Sequence, residues 1–142
     1  FFTIGGEELF MLHGPDDLTR QSLLNISKKV PVQELMSVLR KYQDHTGRRI
    51  TFEYCMIQNY NDSPQQARLL ARLIKSLKCN VNLIEFNAFD GCDFVAASTA
   101  VIRQFAAILE REGIEKVIRY NRGRSIRAAC GQLGADWLKR TT

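Results

Sequence analysis

The stretch that decides the fold is Ile50-Thr51-Phe52-Glu53-Tyr54-Cys55-Met56-Ile57. It is rich in β-branched and aromatic residues, and its hydrophobic run is nearly continuous. A continuous run is typical of a strand buried on both faces, as in a parallel sheet. Glu53 interrupts the run, and a buried carboxylate needs a partner. It either meets a basic side chain inside a barrel or faces solvent at a strand edge.

Similar units lie on both sides of this strand. Further apolar strands are predicted at 8–12, 81–86 and 116–119. Helices with an apolar stripe separate them, and the clearest begin at Pro31 and at Ser63-Pro64, where serine caps and proline opens the helix. Other helices are predicted at 19–26, from Ser98 or Thr99 to Gly113, and from Ile126 or Cys130 onward.

The order β-α-β-α-β-α-β, at about 30 residues per unit, predicts a parallel α/β sheet with right-handed crossovers. We interpret residues 1–142 as a single domain, because no linker or low-complexity tract divides them. Four strands leave two open edges. The sheet is therefore expected to be part of a larger barrel or to be completed by a second chain.

Composition and charge limit the class of protein and the partners that the sequence allows. Hydrophobic residues make up 45% and charged residues 25% of the chain, as in ordinary globular proteins. No apolar run is long enough to span a membrane and the first residues do not resemble a signal peptide, so no membrane partner is expected. The net charge is +5, with seven Lys or Arg against two acidic residues both in 20–50 and in 115–142. Two basic zones favour RNA or DNA as a partner, although a solvated basic surface has the same composition.

The cysteines and histidines do not form a metal motif. The four cysteines stand at 55, 79, 92 and 130, and the two histidines, His13 and His45, are far apart. These spacings match no zinc or iron–sulfur site, and a disulfide framework is not expected. Phosphate-binding glycine loops, GxSxG and HExxH are also absent from the sequence, which argues against a kinase, dehydrogenase or hydrolase.

Polar residues follow the predicted strands at their C-terminal ends, where parallel α/β folds place their chemistry. They are His13, Asn59, Asn61, Asp62, Asn87 and the loop from Arg119 to Cys130. Each asparagine alone is explained by turn formation, but their convergence predicts a site. Cys130 lies between small residues and follows several arginines, which favour its thiolate; the alternative is a small buried hydrophobe.

The segment Ala128-Ala129-Cys130-Gly131-Gln132-Leu133 resembles the C-terminal signature of the RlmN/Cfr family. These are radical S-adenosylmethionine (SAM) methyltransferases that modify an adenine of large-subunit ribosomal RNA. Four earlier motifs resemble the family in the same order. They are residues 12–17 (family S-L-H-A-P-N-D), 26–29 (I-N-K-K), 49–54 with 61–63 (R-V-T-F-E-Y and N-D-S), and 82–89 (N-L-I-P-F-N-P-F).

The resemblance implies an α/β fold of parallel βα repeats. They would form the second half of a radical SAM partial (β/α)6 barrel, with a C-terminal catalytic-cysteine loop and helix, while the N-terminal cluster-binding half is absent. It implies that Cys130 carries a methyl group from SAM, and that Leu12, His13 and Asn87 contact SAM. The RNA-binding residues would be Arg119, Arg122, Arg124 and Arg127.

The family mechanism adds further expectations. A second SAM, cleaved at a [4Fe–4S] cluster, gives a 5′-deoxyadenosyl radical that takes hydrogen from the methylated cysteine. The resulting carbon radical adds to C2 of the adenine, and another cysteine resolves the adduct. The CxxxCxxC cluster motif and the resolving cysteine are absent from these 142 residues. The chain also departs from the family at three positions. The family has a serine that touches SAM where this chain has Met11, an asparagine where it has Ser27, and an aspartate where it has Ser125.

These departures leave two functions from different classes. The first is the C-terminal part of a methyltransferase for ribosomal RNA, or also transfer RNA, completed by a cluster-bearing half on the same or a second chain. The second is an inactive RNA-binding subunit of a ribosome or other ribonucleoprotein. A SAM- or nucleotide-binding remnant is a third reading. A cytoplasmic location is expected, with a mitochondrion or plastid as the alternative.

Overall fold

The computed structural model describes residues 2–4, 7–23, 30–88 and 91–120. Strands and helices alternate over most of this range. The strands are β1 (Phe2–Ile4), β2 (Glu7–Met11), β3 (Ile50–Met56), β4 (Cys79–Glu85) and β5 (Glu115–Arg119). The helices are α1 (Asp17–Leu23), α2 (Val32–Thr46), α3 (Pro64–Ile74) and α4 (Thr99–Arg111). The predicted terminal helix lies outside the described residues.

The strands form one sheet in the order β1-β2-β3-β4-β5. Strands β2 to β5 are parallel, as predicted. Strand β1 was not predicted: it has three residues and pairs antiparallel with β2, with Phe2 opposite Leu9. A three-residue strand followed by Gly5-Gly6 carries too short a hydrophobic pattern to be recognised from sequence.

Local sequence signals set the helix ends. Ser63 caps α3: its side chain accepts the N–H of Gln66, and the Gln66 side chain accepts the N–H of Ser63 in return. This reciprocal pair satisfies two backbone donors that the first helical turn leaves free. Gly47 ends α2 with a left-handed φ of 68°, a conformation that glycine adopts without a steric cost. Both ends agree with the sequence prediction.

The helices α2, α3 and α4 cover one face of the sheet. Alternate strand residues, among them Phe52, Tyr54 and Leu83, point into that layer and form the main core with the apolar stripes of the helices. The opposite face of β3 and β4 is covered near its C-terminal end by a smaller cluster. That cluster contains Cys55, Ile57, Ile84, Phe86 and Phe94. Strand β3 is thus buried on both faces, and Glu53 is its only half-buried residue.

In the described part of the chain α2, α3 and α4 all lie on one face of the sheet, whereas an open doubly wound sheet carries helices on both faces. The arrangement is that of part of a βα barrel, in which the inner face looks toward other strands. None of the helices in the described part of the chain is long and apolar enough to cross a membrane.

Candidate functional site

The candidate site lies at the C-terminal ends of β2, β3 and β4, and His13 is its best-defined residue. His13 follows β2 and has a left-handed φ of 56°, which is uncommon for a residue other than glycine. Its backbone N–H and that of Leu12 both donate to the Glu53 carbonyl on β3, at 3.3 and 3.0 Å. The chain therefore leaves β2 in a turn held against the neighbouring strand.

Asn61 holds this turn in place. The residue is fully buried, and its side-chain Nδ2 donates to the His13 carbonyl at 3.0 Å and to the Cys55 carbonyl at 2.6 Å. Its Oδ1 accepts the N–H of Ile57 at 2.8 Å. The Tyr54 hydroxyl donates to the Asn61 backbone carbonyl at 2.6 Å. The Asn61 side chain thus joins the ends of β2 and β3, and it acts as a positioning group.

The imidazole of His13 has a fixed tautomer. Its Nδ1 accepts the N–H of Cys55 at 2.8 Å, so the proton of the neutral ring is assigned to Nε2. Burial, with the charge of Arg20 as the second cause, lowers the pKa of His13 to about 4. At neutral pH the side chain is therefore an uncharged donor.

Two buried donors around this turn have no partner among the described residues: His13 Nε2 and Arg20 Nη1. The Arg20 Nε donates to the Leu12 carbonyl at 3.1 Å, and its guanidinium lies 6.0 Å from the centre of the Phe10 ring. Burial lowers the pKa of Arg20, with Asp17 opposing this effect. A buried donor without an acceptor costs about 1–3 kcal/mol, so both groups mark a place where an acceptor is expected.

The other predicted SAM contacts lie near the same edge with different environments. Leu12 is fully buried in the main core, and both its backbone groups are hydrogen-bonded within the protein. Asn87 follows β4 by two residues and is half-buried. Met11, the residue that replaces the family serine, is the last residue of β2 and pairs with Glu53 in register.

Arg119 ends β5 and is exposed. It pairs in register with Ile84, on the face opposite the helices. The remaining predicted functional residues lie outside the described residues: Cys130, Arg122, Arg124 and Arg127.

Glu53 and Asn82 form a polar pair on that same face. Asn82 Nδ2 donates to Glu53 Oε1 at 3.1 Å. Burial raises the pKa of Glu53, while the Asn82 hydrogen bond and the charge of Arg119 oppose the increase. One row lower, the Thr51 hydroxyl donates to Asn80 Oδ1 at 2.8 Å. Glu53 therefore has both an amide partner and a cation near it.

Sequence reasoning placed Asn61 at this rim without its role, and it missed Arg20. Asn61 was expected as a turn residue or a polar group on the rim, and its bond to His13 joins residues 48 positions apart. Arg20 was counted only among the basic residues. The described residues contain no group of three or more His, Cys, Asp or Glu side chains placed to hold a metal ion.

Comparison with known proteins identifies relatives of the chain. No protein-family model matches it. It is 44% identical over 122 residues to a probable dual-specificity RNA methyltransferase RlmN of Thermus thermophilus. The aligned stretch covers 86% of this chain and 34% of that protein. The chain is 45% identical over 126 residues to the dual-specificity RNA methyltransferase RlmN of Caulobacter vibrioides, covering 88% and 31% respectively. The chain spans about a third of the length of these curated relatives.

Solved structures agree in fold. A radical SAM methyltransferase from Sphaerobacter thermophilus matches with a TM-score of 0.83 and 41% identity, covering 92% of this chain and 38% of that one. A domain of pyruvate-formate lyase-activating enzyme from Bacteroides vulgatus, with a TM-score of 0.63 and 19% identity, shares the fold alone. The chain therefore belongs to the RlmN/Cfr family of radical SAM methyltransferases, and it corresponds to a C-terminal part of its members.

Proposed function

We propose that the chain is the C-terminal part of an enzyme that methylates an adenine of ribosomal RNA, or also of transfer RNA, and that it binds SAM at the edge formed by Leu12, His13 and Asn87. The observation that carries the proposal is the buried Nε2–H of His13, which has no acceptor among the residues that the structure describes. A buried donor in a strained, tightly held turn is a typical feature of a ligand site. The names of the relatives, dual-specificity RNA methyltransferases, supply the substrate class.

The residues at this edge fit SAM by their chemistry. SAM, when bound, supplies the methyl group. His13 Nε2 offers one neutral donor, and the Asn87 amide offers both a donor and an acceptor. Leu12 orders the turn through its core packing and its two backbone hydrogen bonds. Because the His13 ring stays uncharged at neutral pH, it favours an acceptor atom of the ligand without repelling the positive sulfonium.

Cys130 is the proposed methyl carrier, and the arginines before it serve two purposes. Their charge favours the thiolate, which is the nucleophilic form of cysteine. Together with Arg119 they supply cations for the phosphates of RNA, which dominate the affinity of such complexes. The RNA-contacting set is Arg119, Arg122, Arg124 and Arg127.

A [4Fe–4S] cluster does not fit these residues. The cysteines at 55, 79, 92 and 130 do not have the CxxxCxxC spacing, and Cys55 is fully buried inside the sheet. The residues of this chain therefore have no radical step of their own. In the proposed enzyme, the cluster is held by residues outside these 142, on the same polypeptide or on a second one.

The test of cofactor binding uses the 142-residue chain and S-adenosylhomocysteine in isothermal titration calorimetry. His13→Asn and Asn87→Ala should each weaken binding about 2- to 10-fold, the effect of losing one neutral hydrogen bond. Asn59→Gly is the control, because Asn59 has a left-handed φ of 65° in a turn and glycine preserves it. Binding that is equal in all three variants would contradict the proposed site.

One observation favours the alternative, an inactive RNA-binding subunit of a ribosome or another ribonucleoprotein. Strand β1 lies antiparallel along the outer edge of β2, and this is the edge where the preceding parallel strand of a complete barrel would pair. Mass spectrometry of the tryptic peptide Ala128–Lys139, from protein isolated from its native source, separates the two functions. A methylated Cys130 supports the enzyme, whereas unmodified Cys130 in protein that copurifies stoichiometrically with ribosomes supports the subunit.

A further inference from the structure

Tyr60 lies in the turn that follows β3, at the same edge of the sheet as His13. The residue is 41% exposed. Its ring makes a T-shaped contact with Phe94, with ring centres 4.9 Å apart, and Phe94 makes a second T-shaped contact with Phe86 at 6.1 Å. Phe86 and Phe94 are buried. Among the described residues, Tyr60 is therefore the exposed end of a row of three aromatic rings, which we call the aromatic row.

The turn that carries Tyr60 is tightly held. The backbone N–H of Tyr60 donates to the Ile57 carbonyl at 3.2 Å. Its carbonyl accepts Nε2 of Gln66 at 2.7 Å, and Gln66 is also the capping partner of Ser63 at the start of α3. These bonds tie the position of the aromatic ring to both β3 and α3.

The segment that carries Phe94 is held to the same strand. The N–H of Gln58 donates to the Val95 carbonyl at 2.8 Å, and the N–H of Ala97 donates to the Met56 carbonyl at 3.2 Å. Val95 is exposed beside this contact. Because both segments are fixed by backbone hydrogen bonds, a ligand that binds here orders few groups, and little conformational entropy is lost.

We propose that Tyr60, supported by the aromatic row, is a stacking platform for one unpaired base of an RNA strand. The proposal rests on the RNA substrate of the proposed function and names a contact for it. Three features favour a nucleobase. The Tyr60 ring is partly exposed, backbone hydrogen bonds hold both its turn and the segment of Phe94 against β3, and the chain carries a net charge of +5 that attracts a polyanion. Proteins that recognise single-stranded RNA stack its bases on exposed aromatic side chains in this way.

The experiment measures the binding of fluorescently labelled single-stranded RNA to the 142-residue chain by anisotropy. Tyr60→Leu keeps an apolar side chain but removes the π-face, and it should weaken binding about 5- to 100-fold, the usual effect of losing one base–aromatic stack. Tyr60→Phe keeps the ring and should bind within about twofold of the wild type. Val38→Ser is the matched control, because Val38 is an exposed apolar residue of α2, remote in sequence from the turn.

A scan of abasic oligonucleotides identifies stacking as the cause. One abasic position should weaken binding to the wild type and leave binding to Tyr60→Leu unchanged. The proposal is overturned if Tyr60→Leu binds the intact RNA as tightly as the wild type does. It is also overturned if the ratio of wild-type to Tyr60→Leu affinity is the same for the intact oligonucleotide and for every abasic one. It is also overturned if sedimentation shows a wild-type dimer that Tyr60→Leu converts to a monomer, since the row is then a protein interface.

The same variant distinguishes this proposal from the proposed function. Tyr60→Leu should bind S-adenosylhomocysteine with the affinity of the wild type, because Tyr60 is not part of the proposed SAM site. If the wild-type chain binds S-adenosylhomocysteine but no RNA, the stacking platform is refuted while the SAM site stands. If it binds RNA through Tyr60 but no S-adenosylhomocysteine, the platform stands and the SAM site is refuted.

Discussion

Replacing Asn61 by leucine tests whether this residue joins the ends of β2 and β3. Leucine has the same number and branching of side-chain heavy atoms but can make none of the three side-chain hydrogen bonds to Ile57, His13 and Cys55. It also leaves little room for a water molecule to replace them. The substitution therefore removes the hydrogen bonds without opening a cavity.

The expected loss is large for one residue. An unpaired buried backbone group costs about 1–3 kcal/mol, and the two carbonyls cost less than the N–H because each has a second lone pair. The total is about 3–5 kcal/mol, against a stability of about 5–15 kcal/mol for a domain. At about 4 °C per kcal/mol, the melting temperature should fall by about 10–20 °C.

Urea unfolding followed by far-UV circular dichroism measures this loss. The urea concentration at the midpoint should fall. The slope of the unfolding free energy against urea concentration should stay the same, because the surface exposed on unfolding does not change. Asn87→Ala removes the same amide from a half-buried site and should change stability by less than about 0.5 kcal/mol. A cost below about 1 kcal/mol for Asn61→Leu would refute the assigned role of the three bonds.

Three further outcomes follow from the structure. The pKa of His13 is about 4, against 6.5 for the free residue, so that as the pH falls the unfolded chain binds a proton before the folded one does. About 3 kcal/mol of stability is therefore present above pH 6.5 and is lost as the pH falls toward 4. Urea unfolding at a series of pH values should show this loss in the wild type but not in His13→Asn. Ser63→Ala removes the cap of α3 and should lower the unfolding free energy by about 1 kcal/mol in urea unfolding, and Ser98→Ala should do the same for α4. In Gly14→Ala the new Cβ would lie 3.0 Å from the Arg20 and Thr19 side chains, so the melting temperature should fall by an amount equivalent to about 1–3 kcal/mol.

The sequence predicted what local patterns encode. The hydrophobic run at β3 and the Ser63-Pro64-Gln65-Gln66 helix start were both confirmed, because each depends on neighbouring residues. The role of Asn61 could not be predicted, since it depends on the register that places His13 beside Cys55. That His13 Nε2 finds no acceptor within the described part of the chain depends likewise on three-dimensional packing, which no local pattern reports.

The polar pairs on the inner face of the sheet connect the fold to the proposed function. Thr51 with Asn80 and Glu53 with Asn82 occupy successive rows of β3 and β4, on the face that α2, α3 and α4 do not cover. Above them, toward the C-terminal edge, the residues of that face form an apolar cluster. A sheet whose second face only met water would need no ordered amide–carboxylate pair, nor a carboxyl group with a pKa raised by burial. The interior of a closed barrel needs both, because its polar side chains must satisfy one another. The inner face of the sheet therefore has the composition of a barrel interior. The charge of Arg119 favours the ionised form of Glu53 within it.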